Sequence, residues 1–250
     1  MIEHELAGDI LTLRMAHGKA SALDLELCQA LADAIDNAAE ERTVRALILT
    51  GTGKIFSAGV DLPRLVEGGR GYAQPFLEAL NACLRALFVF PKPAVAAING
   101  HAIAGGAILA FACDYRIMSS GRIGVPELLV GLPFPSLAAE IVRFGIPPQH
   151  LRSTILFGQT LDFDKAQAHG LIDETVGIDS LIPGAKEIAM KLAGVAPEAF
   201  RITKRQMREP YLRNAAHVAT TDIDEIDALW SAKESHQRIL DYMAKTIGKK

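Results

Sequence analysis

The sequence predicts an α/β fold, and three observations carry that expectation. Apolar, β-branched runs with strand character alternate with helical patterns up to about residue 130. The run Val44-Arg45-Ala46-Leu47-Ile48-Leu49-Thr50 holds few polar residues, as a strand covered on both faces does. From Pro135 onward the pattern is almost wholly helical. Strands and helices in alternation imply a core with right-handed crossovers, taken here as residues 1–195, followed by a helical C-terminal region over 196–250.

The elements follow in order. Residues 2–6 and 9–15 read as two strands joined by a hairpin turn at Gly8-Asp9. Asp24 is a suitable N-cap, and Leu27, Leu31, Ala34, Ile35 and Ala38 recur at helical spacing up to about Glu41. After the strand at 44–50, the stretch from Leu62 to Pro75, with Gly68-Gly69-Arg70-Gly71 inside it, reads as a mobile surface loop edging a ligand site. A helix from about Pro75 to Phe90 is stopped by Pro91 and Pro93, and Ala94 to Asn99 form the next strand. Gly105 to Ala112 read as a short buried helix and Cys113 to Met118 as a strand. Further helices are expected near 135–144, 148–157, 163–169, 178–193, 197–209, 215–229 and 231–246, with one short strand near 171–176. No internal repeat, low-complexity tract or flexible linker interrupts this order.

Composition excludes several functions. A chain of 250 residues can bury a substantial core in one large domain. With 26 basic and 29 acidic side chains it has no electrostatic footprint for nucleic acid or an anionic membrane. Half of the residues are apolar, but no run approaches the roughly 18 residues of a membrane span. The start Met1-Ile2-Glu3-His4-Glu5-Leu6 has no secretory pattern, so a cytoplasmic protein is expected. Cys28, Cys83 and Cys113 are too scattered for a disulfide framework, and the seven histidines form no i, i+4 pair, so no metal is expected.

Nucleotide and hydrolase motifs fail on single residues. Gly51-Thr52-Gly53-Lys54 lacks the earlier glycine of a phosphate loop, since position 48 is isoleucine. Ser57, in Ile55-Phe56-Ser57-Ala58-Gly59, lacks the glycine at 55 that a nucleophile elbow needs. Two glycine-marked turns remain, Phe56-Ser57-Ala58-Gly59-Val60-Asp61 and Asn99 through Ala104-Gly105-Gly106, each just after a strand-like run. Turns of this kind aim free backbone N–H groups at one point, and two such groups make an oxyanion hole.

With these turns, Pro91-Lys92-Pro93-Ala94-Val95-Ala96-Ala97-Ile98-Asn99-Gly100, Cys113-Asp114-Tyr115-Arg116-Ile117 and Ile123-Gly124-Val125-Pro126-Glu127-Leu128-Leu129-Val130-Gly131-Leu132 stand in a specific order and spacing. In that arrangement the chain resembles the enoyl-CoA hydratase/isomerase, or crotonase, superfamily over essentially its whole length. The resemblance implies a crotonase-like spiral of ββα turns with a helical C-terminal trimerisation region, hence a homotrimer or hexamer. It implies oxyanion donors at Val60 and Gly105 and a catalytic acid at Glu127. Hydratases of the family carry a further glutamate three residues past the Gly105 position, where this chain has Ile108. Dienoyl-CoA isomerases and chlorobenzoyl-CoA dehalogenases carry an aspartate eight residues after the Glu127 position, where this chain has Pro135.

A single carboxylate implies a Δ3,Δ2-enoyl-CoA isomerase, in which Glu127 shuttles one proton while the hole holds an enolate. The tail, Ser231 to Ser235 through Tyr242-Met243, also resembles the isomerase members. Coenzyme A enters as part of the acyl-CoA substrate, with no separate cofactor, and is expected along Lys19, Ala20, Ala22 and Ala58, with Lys204 near its phosphates. The acyl pocket is expected from Ile108, Leu62, Leu65, Phe76, Leu80, Leu132, Phe134 and Leu137. His101 is expected to face outward, and Asp114 and Arg116 to satisfy the start of a strand. Two other readings stay open: a hydratase or other enolate-forming lyase drawing a second polar group from His101 or Glu140, and a non-catalytic acyl-CoA-binding member.

Overall fold

The structure, a computed structural model, describes residues 1–246. The chain opens with the antiparallel hairpin β1 (Ile2–Ala7) and β2 (Ile10–Met15), turned at Gly8. Helix α1 (Leu25–Glu40) starts where Asp24 accepts a hydrogen bond from the Leu27 N–H, the N-cap its sequence promises. Then come β3 (Ala46–Thr50), β4 (Ile55–Ser57), α2 (Leu62–Val89), β5 (Ala94–Ile98), β6 (His101–Ile103) and α3 (Gly105–Ala112). β7 (Tyr115–Met118) and β8 (Arg122–Gly124) lead into a single 3₁₀ turn, Glu127–Val130. The rest is α4 (Ser136–Gly145), α5 (Pro148–Leu156), β9 (Thr160–Asp162), α6 (Phe163–Ala168), β10 (Glu174–Thr175), α7 (Ile178–Ala193), α8 (Pro197–Ser231) and α9 (Lys233–Thr246).

Two sheets result. The larger runs β1-β2-β3-β5-β7-β10 and is parallel beyond its first hairpin. Every residue of β3 and β5 is buried, because alternate side chains feed two cores. Leu47, Leu49, Ala96 and Ile98 join the main core with α1 and α2, whereas Ala46, Ile48, Val95 and Ala97 pack against Leu181, Ala185 and Ala189 of α7. The smaller sheet runs β4-β6-β8-β9, its first three strands parallel. Sequence patterning does not separate this sheet from its turns, since each of its strands has only three residues.

Two expectations are corrected. Leu62 to Pro75 is not a surface loop but the first half of α2, capped by Asp61 and bent at Gly69, which adopts φ 53° and ψ −149°. Glycines lower helix propensity here, yet buried Leu65 and Ala73 hold the segment on the core, and burial outweighs propensity. The separate helices expected at 197–209 and 215–229 are one helix, α8, running through Pro210. Packing on α4 and α2, with buried Arg208 and Ala215 on either side of the proline, keeps it continuous. Helix α9 then folds back onto α2, α8 and the Glu127 turn. No described helix is long and apolar enough to cross a membrane.

Candidate active site

The small sheet explains why residues far apart in sequence meet. β4 pairs with β6 through Ile55↔His101 and Ser57↔Ala102, and β6 pairs with β8 through Ala102↔Ile123 and Ile103↔Gly124. Running on from their C-terminal ends, the three strands deliver Val60, Gly105 and Glu127 side by side, the end of a parallel sheet where ligands ordinarily bind. Asn99, at the start of the second glycine turn, is tied to the segment leading into the first: its Oδ1 accepts from the Gly51 N–H at 2.9 Å and its Nδ2 donates to the Gly53 and Ile55 carbonyls at 3.0 and 3.2 Å.

Gly59 makes the contact between the turns. A Cβ there would lie 2.7 Å from the Ile103 oxygen and 3.1 Å from the Gly105 nitrogen, and its φ of +81° also excludes ordinary side chains. Leu23 donates to the Gly59 carbonyl at 2.8 Å and accepts from the Asp61 N–H at 2.9 Å, so the intervening Val60 N–H turns the other way. Gly105 begins α3, where the first amides have no partner within the helix. Among the described residues neither the Val60 nor the Gly105 N–H enters a backbone hydrogen bond. Between them Ala104 holds φ 54° and ψ −127°, a conformation that strains a residue with a side chain, while its N–H donates to the Gly124 carbonyl at 2.8 Å.

Glu127 begins the 3₁₀ turn and is 7 % exposed. Among the described residues its Oε2 has no hydrogen-bond partner. Burial without a compensating charge pushes its carboxyl up to about 8. The carboxyl borders a cavity of about 70 Å³ that also touches Ala58, Val60 and Ala104. Leu62, Val130 and Leu132 give it apolar walls, and Trp230 of α8 and Tyr242 of α9 complete it. Among the described residues Glu127 is the only acidic one along this lining. A larger groove of about 350 Å³ lies by the N-terminal ends of β3 and β5 near Arg42, Lys92 and Phe200, but no acid borders it.

The expected site residues fall into three groups. Ala58, Val60, Leu62, Glu127 and Leu132 border the cavity, with Gly105 directly behind Ala104. Ala20 accepts from the Ala58 N–H at 3.0 Å and the Ser21 carbonyl accepts from Ser57 Oγ at 2.7 Å, so the segment carrying exposed Lys19 and half-buried Ala22 runs beside the mouth. Leu65, Phe76, Leu80, Leu137 and Ile108 are buried in the core outside the lining, and Phe134 is half-buried against that core.

Lys204 is a correction. Instead of facing a phosphate, its ammonium is 2.6 Å from Asp114 and 2.9 Å from the Lys92 carbonyl, and burial lowers its pKa to about 8. Asp114 also takes Arg208 at 2.7 Å and the Ala94 N–H at 2.8 Å, and Arg116 pairs with Asp173, so both satisfy the strand start as expected. His101 is exposed on β6, and Glu140 of α4 is held by Arg143 of the same helix and Asn214 of α8, so neither supplies a second polar group at the cavity. Sequence reasoning misses Trp230; its being the chain's only tryptophan is the signal that could have marked it.

Residues 5–247 match the model of the enoyl-CoA hydratase/isomerase family. A carnitinyl-CoA dehydratase of Salmonella enteritidis is 30 % identical over 203 residues, covering 80 % of this chain and 77 % of its own. The Mtb enoyl-CoA isomerase is 31 % identical, with a TM-score of 0.79 over 91 % of this chain and 97 % of its own. Human mitochondrial Δ3-Δ2-enoyl-CoA isomerase superposes with a TM-score of 0.94 over 100 % of this chain and 99 % of its own; at 20 % identity that likeness speaks for the fold.

Proposed function

The chain belongs to the enoyl-CoA hydratase/isomerase family, and we propose that it moves the double bond of a 3-enoyl-CoA thioester to position 2. The carrying observation is Glu127, among the described residues the one carboxylate of a mainly apolar pocket, beside two backbone N–H groups without backbone partners. The carboxylate of Glu127 removes a proton from C2 of the substrate, and the electron pair spreads through the C3–C4 double bond and onto the thioester oxygen. The N–H groups of Val60 and Gly105 hold that oxygen as an oxyanion, and Gly105 adds the positive end of α3. The same carboxyl, now protonated, returns its proton to C4, leaving the double bond between C2 and C3. No water is consumed, which suits a pocket walled by Leu62, Val130 and Leu132.

Coenzyme A would run along Lys19, Ala20 and Ala22 past Ala58, where that segment is hydrogen-bonded to the hole. Isoleucine at 108, where hydratases of the family keep a second glutamate, supplies no second carboxylate to hold an attacking water. The likeness to a carnitinyl-CoA dehydratase favours the rival reading, water addition or removal. Supplying 3-enoyl-CoA and 2-enoyl-CoA separately decides between them: isomerisation of the first with little hydration of the second is expected, and comparable hydration of the second refutes the isomerase reading. A homotrimer or hexamer is proposed as the assembly, because Leu128, Leu129, Leu156 and Phe157 leave apolar surface exposed next to the Glu127 turn. Analytical ultracentrifugation checks it.

A further inference from the structure

We propose that this pocket takes only short acyl groups, of about four to six carbons, and that Trp230 sets the limit. The proposal rests on the acyl-CoA reading above. An enclosed apolar cavity of about 150 Å³ accommodates the six carbons of benzene. On that measure the space of about 70 Å³ beside Glu127, open on one side, holds about three carbon atoms beyond a thioester carbonyl held at Val60.

The Trp230 wall of this cavity is held rigidly. Trp230 is 1 % exposed, and its Nε1–H donates to the Pro133 carbonyl at 3.0 Å. Its indole packs on Phe76 at 6.2 Å between ring centres, and Phe76 stacks on Tyr72 at 5.8 Å. The Tyr72 hydroxyl in turn accepts from the Leu25 N–H at 3.1 Å. A continuous aromatic row thus ties the wall on α8, through α2, to the start of α1. Swinging the indole aside would break this part-buried hydrogen bond. Leu132, 1 % exposed, closes a further side. In a pocket that receives them, added methylenes strengthen binding about fourfold each; against this wall they find no room.

The test is calorimetric binding of butyryl-, hexanoyl- and decanoyl-CoA, none of which can be isomerised. In the wild type, decanoyl-CoA is expected to bind at least tenfold more weakly than hexanoyl-CoA. In Trp230→Ala, and separately in Leu132→Ala, the ratio of decanoyl to hexanoyl affinity should rise tenfold or more. Steady tightening from butyryl to decanoyl in the wild type overturns the proposal without reference to any variant. So does an unchanged ratio in both folded variants. Isomerisation is scored separately on 3-hexenoyl-CoA: failure there with the chain-length limit intact would refute the reaction and support the limit.

Discussion

Replacing Glu127 by glutamine should stabilise the protein, increasingly so as the pH rises. In the folded chain the carboxyl titrates at about 8, whereas an ordinary glutamate titrates at 4.5. Below pH 4.5 it is neutral in both states, and its contribution to stability is fully present. As the pH rises toward 8 the unfolded chain ionises while the folded chain stays neutral, so stability is lost; above 8 both are ionised and the loss levels off. At about 1.4 kcal/mol per pH unit, the deficit is about 3 kcal/mol at pH 7 and on the order of 5 kcal/mol at pH 9. Glutamine occupies nearly the same volume and does not titrate. Urea unfolding of both proteins at pH 4.5, 7 and 9, at fixed protein concentration, reads the difference directly. A difference that stays flat with pH, or a glutamine variant less stable at pH 9, would refute the desolvation argument.

The same carboxyl ties stability to activity with opposite sign. A general base must be ionised, so wild-type kcat/KM should climb about tenfold per pH unit below 8 and flatten above it. Glu127→Gln should lose a factor of about 10³, within the range for removing a general acid–base group.

Other substitutions test the frame around the hole. Gly59→Ala would place a Cβ 2.7 Å from the Ile103 oxygen; we expect about 2 kcal/mol lost in urea unfolding and kcat reduced at least tenfold, with KM less affected. Ala104→Gly should relieve the strained φ of 54° and raise the melting temperature by about 2–4 °C; an unchanged or lower melting point would argue that the alanine is not strained. Lys204→Met should destabilise by about 2 kcal/mol, because Arg208 still neutralises Asp114, and should leave the calorimetric Kd for coenzyme A within twofold. Loss of coenzyme A binding there would restore Lys204 to the ligand site.

What the sequence reveals follows from how far each element depends on its neighbours. The hairpin at Gly8, the Asp24 cap and the fully buried β3 are legible because local chemistry decides them. β4, β6 and β8 are not: three residues give no period to detect, and only pairing with each other makes them strands. The glycine-rich start of α2 reads as a loop because its helix depends on Leu65 and Ala73 being covered. Val60, Gly105 and Glu127 are named by the family resemblance of their motifs, but that they follow three neighbouring strands is a fact of topology. Lys204 misleads for a related reason: a lysine on a C-terminal helix looks solvated until Asp114, distant in sequence, lies beneath it.

Several departures from the rules of stable folding gather at one cavity. Val60 and Gly105 leave two N–H groups without backbone partners, Ala104 is held in a strained conformation, and Glu127 is buried with an unpaired oxygen. Each lowers stability by about 1–3 kcal/mol where a relaxed alternative is conceivable. Cross-ties hold them in place: Asn99 fastens the second turn to the segment leading into the first, and Trp230 and α9 close over the turn that carries Glu127. A protein that only bound acyl-CoA would need the apolar walls and the segment beside Ala58, but neither strain nor a destabilised carboxyl. Donors fixed in advance around an acid titrating near neutral pH are what stabilising an enolate and moving its proton require. Their concentration in this one pocket favours catalysis over a binding role alone.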